Sequence, residues 1–211
     1  MKFKIVTLLA IAGLMALMPS TANADNINLS SCPKGVKTPC SGATGKVESW
    51  TAGGLTITAT GFSSAGKEDD LFIKTDGGDE HGLGLVGASD GEIQPGNFIQ
   101  LNVSSLDKDG ITSGTLTFGS VQPGEGYEIC VTNTAGTLKG ATCFSGNADE
   151  TPVKVTWGKD EYIDITATKG DVLISDFSYT ATTPEPGTMG LTLLGAAGLL
   201  AFAIRRTALG G

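Results

Sequence analysis

Apolar and polar residues alternate with a period of two through most of the chain between residues 46 and 181, and no segment holds a 3.6-residue period for three turns. LTITATGF (55–62) places Leu55, Ile57 and Ala59 on one side and threonines on the other, and NFIQLNVS (97–104) does the same with Ile99, Leu101 and Val103. The same alternation predicts strands at LFIKT (71–75), GTLTFGS (114–120), YEICVTN (127–133), VKVTW (153–157), EYIDITATK (161–169) and DVLISDFSY (171–179). Eight strands broken by Gly, Asp, Asn and Pro predict an all-β fold, a single antiparallel β-sandwich or jelly-roll domain over residues 46–181. Parity also sorts the aromatic residues. Trp157 shares phase with Val153 and Val155, and Tyr179 with Leu173 and Phe177, so both are expected in the core. Tyr162 falls with Asp164 and Thr166, and Trp50 lies between Ser49 and Thr51, so these two rings are the candidates for stacking on a glycan.

Both ends depart from this pattern. Residues 1–24 carry Lys2 and Lys4, an apolar run from Ile5 to Met18, Pro19, and small residues at Ala22 and Ala24. This is the layout of a secretory signal peptide, with signal peptidase expected to cut between Ala24 and Asp25. Residues 25–45 lack alternation and are expected to form a Cys-containing extension outside the sandwich. Near the C-terminus, residues 188–204 are uncharged; a helix of that length is about 25 Å long, enough to cross a thin bilayer as a transmembrane helix. Arg205 and Arg206 follow it and are expected to stay cytoplasmic by the positive-inside rule, leaving the body outside.

Charge and composition narrow the chemistry. Residues 25–186 hold all 22 acidic side chains but ten of the 14 basic ones, a formal charge of −12, which excludes nucleic acid as a partner. The 31 glycines sit mostly between the strands, in keeping with a folded β body. Four cysteines, Cys32, Cys40, Cys130 and Cys143, allow three pairings in an oxidising compartment; short loops favour Cys130–Cys143 and Cys32–Cys40. With one histidine, His81, and no G-x-S-x-G elbow, no nucleophilic triad can be drawn and the protein is expected not to be an enzyme. Acidic loops offer oxygen ligands: KEDD (67–70), DGGDEHG (76–82), SDGE (89–92) and DKDG (107–110). The best calcium candidate gathers Asp76, Asp79 and Glu80 with Asp90 and Glu92, although the spacing matches no EF-hand loop or calcium-binding nonapeptide.

The order Pro184-Glu185-Pro186, apolar residues 189–204, then Arg205-Arg206 resembles the PEP-CTERM sorting signal of Gram-negative bacteria, here covering residues 182–211. The resemblance implies recognition by an exosortase, a cut near Pro-Glu-Pro after transient anchoring in the inner membrane, and release to the cell surface or extracellular matrix. It also implies a setting of exopolysaccharide and biofilm formation. HGLGLVGASDGEIQPGNFIQLNVS (81–104) looks like the Gly-Leu-Gly-Val … Glu-Ile-Asp pattern of β-rich PEP-CTERM ectodomains, with Leu85 and Gln94 in place of the Val and the Asp. KGDVLISDFSYTATTPEP (169–186) looks like the closing strand that leads into such tails. The leading expectation is a non-enzymatic, exported surface or matrix protein. The alternatives are a calcium-assisted carbohydrate-binding module and a carboxylate-dependent glycoside hydrolase.

Overall fold

A computed structural model of the chain describes residues 23–33, 41–64, 66–75, 80–181 and Gly195. The signal-peptide run, Ala22, Cys40, Asp76, Asp79 and all of 182–211 except Gly195, which is helical, lie outside the described residues. Among the described residues no helix is long and apolar enough to cross a membrane. Ala24–Thr180 forms one compact unit.

This unit is built of two antiparallel sheets. The first runs in the order β12 (Val153–Thr156), β9 (Ser113–Ser120), β14 (Leu173–Ala181), β7 (Gly82–Leu85), β6 (Leu71–Lys74) and β2 (Gly42–Gly45), and β1 (Asn23–Asn28) also pairs with β14. The second runs β11 (Thr142–Gly146), β10 (Gly126–Thr132), β13 (Tyr162–Lys169), β8 (Phe98–Asn102), β4 (Leu55–Ser64) and β3 (Val47–Ala52), with β5 (Lys67–Asp69) on β4. A short helix α1 (Ser104–Lys108) follows β8 and seats Leu106 in the core.

Register explains why alternation in sequence becomes a core. Ile129 lies opposite Ile165 and Ile165 opposite Ile99; Val131 lies opposite Ile163, Ile163 opposite Leu101, and Leu101 opposite Ala59. Cross-strand partners share a face, so these rows form the apolar side of the second sheet. On the first sheet Leu71 faces Leu85, Ile73 faces Leu83, and Ile174 faces both Leu83 and Phe118. Phe118 stacks on Tyr127 across the sheets at a centroid distance of 3.8 Å. Gly61 leaves the space that Leu85 Cδ2 occupies, where a Cβ would meet it at 2.5 Å. Each such Leu, Ile or Phe contributes roughly 1.5–3 kcal/mol by leaving water. Trp157 and Tyr179 are buried as their parity predicts, and their polar atoms are satisfied: Trp157 Nε1 donates to the Ile111 carbonyl at 3.1 Å and Tyr179 Oη to the Ala52 carbonyl at 2.6 Å.

The eight strands expected from alternation are all present, within a residue or two at their ends. Two features differ. First, the segment expected to stand outside the sandwich supplies β1 and β2, which add to the first sheet. Its Asn-rich and Gly-rich strands are held by main-chain hydrogen bonds, so they carry no apolar alternation. Second, the polar face of β13 is not a solvent face. The loop 133–141 between β10 and β11 lies over it: Gln100 Nε2 donates to the Thr134 carbonyl at 3.3 Å and to Asp164 Oδ1 at 2.7 Å, and the Gly136 N–H donates to Gln100 Oε1 at 3.1 Å. The Cys130–Cys143 disulfide crosses the same hairpin and contributes about 3 kcal/mol in the chain-entropy picture.

Asp164 is fully buried beneath this loop, and its Oδ2 has no hydrogen-bond partner among the described residues. Burial pushes its pKa up to about 7 from 3.8, against the opposing pull of the Gln100 hydrogen bond. Between about pH 4 and pH 7 the folded protein therefore keeps a proton that the unfolded chain has given up, so this group lowers stability as pH rises through that window. Asp164→Asn, neutral at every pH, is expected to match the wild type near pH 4 and exceed it at pH 8 in urea-unfolding midpoints. An equal loss at both pH values would contradict this account.

Candidate functional site

The most concentrated polar chemistry lies where β6 ends and the turn after β7 folds back. Three glycines make the approach possible. A Cβ on Gly84 of β7 would collide with the carbonyl of Gly91, and one on Gly91 would enter the ring of Phe72. Gly119 similarly leaves room for the His81 carbonyl. Asp90 and Gly91 both adopt positive φ, 62° and 75°, which reverses the chain and directs Asp90 and Glu92 back over β6.

At the centre stands Lys74, 3% exposed. Its Nζ lies 2.8 Å from Glu80 Oε2, 2.8 Å from Asp90 Oδ2 and 2.7 Å from Glu92 Oε1. Burial alone drives the ammonium down, but hydrogen bonds to Asp90, Glu80 and Glu92 outweigh it and hold its pKa well above that of an ordinary lysine. Glu92 is 2% exposed; burial raises its pKa against the pull of Lys74, and Asp171 and Glu80 add like charge. Its Oε2 has no hydrogen-bond partner among the described residues.

Three of the five residues expected to hold calcium, Glu80, Asp90 and Glu92, thus converge, with one oxygen from each within 4.8 Å of the others. What they surround is a side chain of the protein itself. The Lys74 ammonium supplies the positive charge that a metal would bring, and three carboxylates around one ammonium leave a local charge of −2. Lys74 carries no motif, yet one signal was present: it is the only lysine or arginine in residues 68–107, among nine acids.

The candidate glycan contacts separate. Trp50 is 5% exposed, and its Nε1 donates to the Ser31 carbonyl at 3.1 Å. The N-terminal segment covers it, which corrects the expectation of an exposed ring. Tyr162 is half-buried at the start of β13, opposite Asn102 and Thr132. Cys32 is disulfide-bonded; its expected partner Cys40 lies outside the described residues.

The second feature is the way the body meets its two ends. Leu29 N–H donates to the Ser175 carbonyl at 2.8 Å, and Ser178 Oγ to Asn26 Oδ1 at 3.2 Å, so β1 and β14 run in opposite directions. β1 therefore begins beside the end of β14. The expected signal-peptidase bond, Ala24–Asp25, lies inside β1, and cleavage there leaves Asp25–Asn28 to complete it. At the other end Thr182 and Thr183 alone separate Ala181 from Pro184. Residues 182–206 match the family model of the PEP-CTERM protein-sorting motif.

The chain carries a PEP-CTERM sorting motif. It is accordingly an exported protein that passes through the membrane and is a substrate of exosortase. Pro184, Glu185 and Pro186, with Arg205 and Arg206, fall inside the matched segment. A search of the curated proteins gives no match to this chain.

Lys74→Met leaves Glu92 as a buried carboxylate without a counter-ion and is expected to destabilise the body by about 3–5 kcal/mol at pH 7. Adding Glu92→Gln should restore most of that loss. Urea unfolding of the single and double variants checks this; equal instability in both would place the effect elsewhere than in charge.

Proposed function

We propose that this protein is a non-enzymatic structural or adhesive component of the cell surface or extracellular matrix of a Gram-negative bacterium. It is exported by an N-terminal signal, held briefly at the inner membrane and released by exosortase. The observation that carries this reading is the placement of the sorting motif, residues 182–206, directly after β14, a strand inside the first sheet. Such a body passes to its destination as a closed unit, with no long linker between the folded part and the sorting tail.

Three features support a structural role. The strongest carboxylate cluster is engaged internally by Lys74, Trp50, one of the two aromatics expected at a glycan surface, is covered by the N-terminal segment, and Asp164 is sealed beneath the loop 133–141. The body's formal charge of −12 suits a hydrated extracellular matrix and, with that matrix, an association with exopolysaccharide in biofilm.

Replacing Pro184, Glu185 and Pro186 together by alanine in the native host is expected to leave the body folded and exported but held in the membrane fraction, while the wild type reaches the surface or medium. Unchanged fractionation of the variant would overturn the reading.

A further inference from the structure

Among the described residues the two sheets leave open edges, and the sequence treats them differently. β12 carries Lys154 and follows Pro152; β3 carries Glu48 and follows Lys46; β5 reads Lys-Glu-Asp; β2 is four residues with a register break between Ala43 and Gly45; β1 contains Asp25. Charge, proline and bulges are the ordinary devices that keep sheet edges from pairing with other chains. β11, at the edge of the second sheet, has none of them. It reads Thr-Cys-Phe-Ser-Gly, pairs with β10 in unbroken register, and its first four residues are exposed. Phe144 at its middle is 41% exposed.

Its free hydrogen-bonding groups follow from the register. Cys130 and Cys143 lie opposite each other with Cα atoms 4.0 Å apart, the close spacing of a pair that exchanges no main-chain hydrogen bonds. The N–H and C=O of Cys143, and by alternation those of Ser145, therefore point away from β10, to the open side of the strand.

We propose that β11 pairs with β11 of a second copy of this chain, antiparallel and about a two-fold axis through Phe144. That register is self-consistent. Each Cys143 meets the partner copy's Ser145 as a doubly hydrogen-bonded pair, using only the outward groups, and the two Phe144 residues meet as a close cross-strand pair. It also continues what is already built: Ile99, Ile165, Ile129 and Phe144 lie opposite one another in sequence across four strands, and the two-fold extends this apolar row into the second copy. The occupant is a second copy because the pairing element is identical to itself under this symmetry, and because bodies of charge −12 can approach closely only along an uncharged border.

Sedimentation of the full chain in detergent, with three sequences compared, tests the pairing. Wild type is expected to be dimeric, Phe144→Lys monomeric, and Val47→Lys, at an exposed site on the opposite edge, dimeric like the wild type. In the wild type the amides of Cys143 and Ser145 should become protected from exchange as concentration rises. Both substitutions fall on exposed positions, and circular dichroism with the mass of the intact disulfide confirms folding. A monomeric wild type, or a Phe144→Lys protein that dimerises equally well, would overturn the proposal.

Discussion

The fold depends on β14 finding its place. It lies between β9 and β7 and also receives β1, yet it is the last strand among the described residues and ends three residues before Pro184. Until residues 173–181 are available, β9 and β12 lack the strand that pairs them with the rest of the first sheet, and β1 has no strand to pair with. The sheet therefore closes only once the chain has been exported almost to its sorting motif. The expected signal-peptidase bond after Ala24 lies in the strand beside the end of β14, so a cut there would free that strand at the same pair of strands that the sorting motif follows.

Charge is the second organising constraint. An acidic body folds easily when its carboxylates stay in water, but the turn after β7 carries Glu92 into the interior. Removing an ion from water costs several kcal/mol unless a partner meets it there. Lys74 is that partner, and the glycines at 84 and 91 let the backbone come close enough for one ammonium to serve three carboxylates. The cluster ties the turn to β6 and gives this part of the body a fixed geometry. Asp164 solves the same problem differently, through an elevated pKa and a hydrogen bond from Gln100.

Much of the fold was legible in the sequence because it is written in side chains. Leu55 to Phe62, Phe98 to Asn102 and Tyr162 to Lys169 alternate, and so these strands could be expected. β1, β2, β3, β5, β7 and β11 were not legible: they are short, polar or glycine-containing strands whose formation is decided by a neighbour's free main-chain groups. The candidate site was half legible. Glu80, Asp90 and Glu92 could be grouped by composition, but the cation they meet could not, since only the turn of Asp90 and Gly91 over β6 brings Lys74 among them. Trp50 was misplaced for the same reason, because the segment that covers it was expected to stand apart.

The central claim is that an exported, disulfide-bonded β body is separated from its C-terminal signal close to where β14 ends. The intact mass of the protein recovered from the native cell surface or medium tests it most directly. The account predicts a species beginning at Asp25, ending near Glu185 and lacking the thiol hydrogens of its cysteines. A mass that includes residues 187–211 would contradict it.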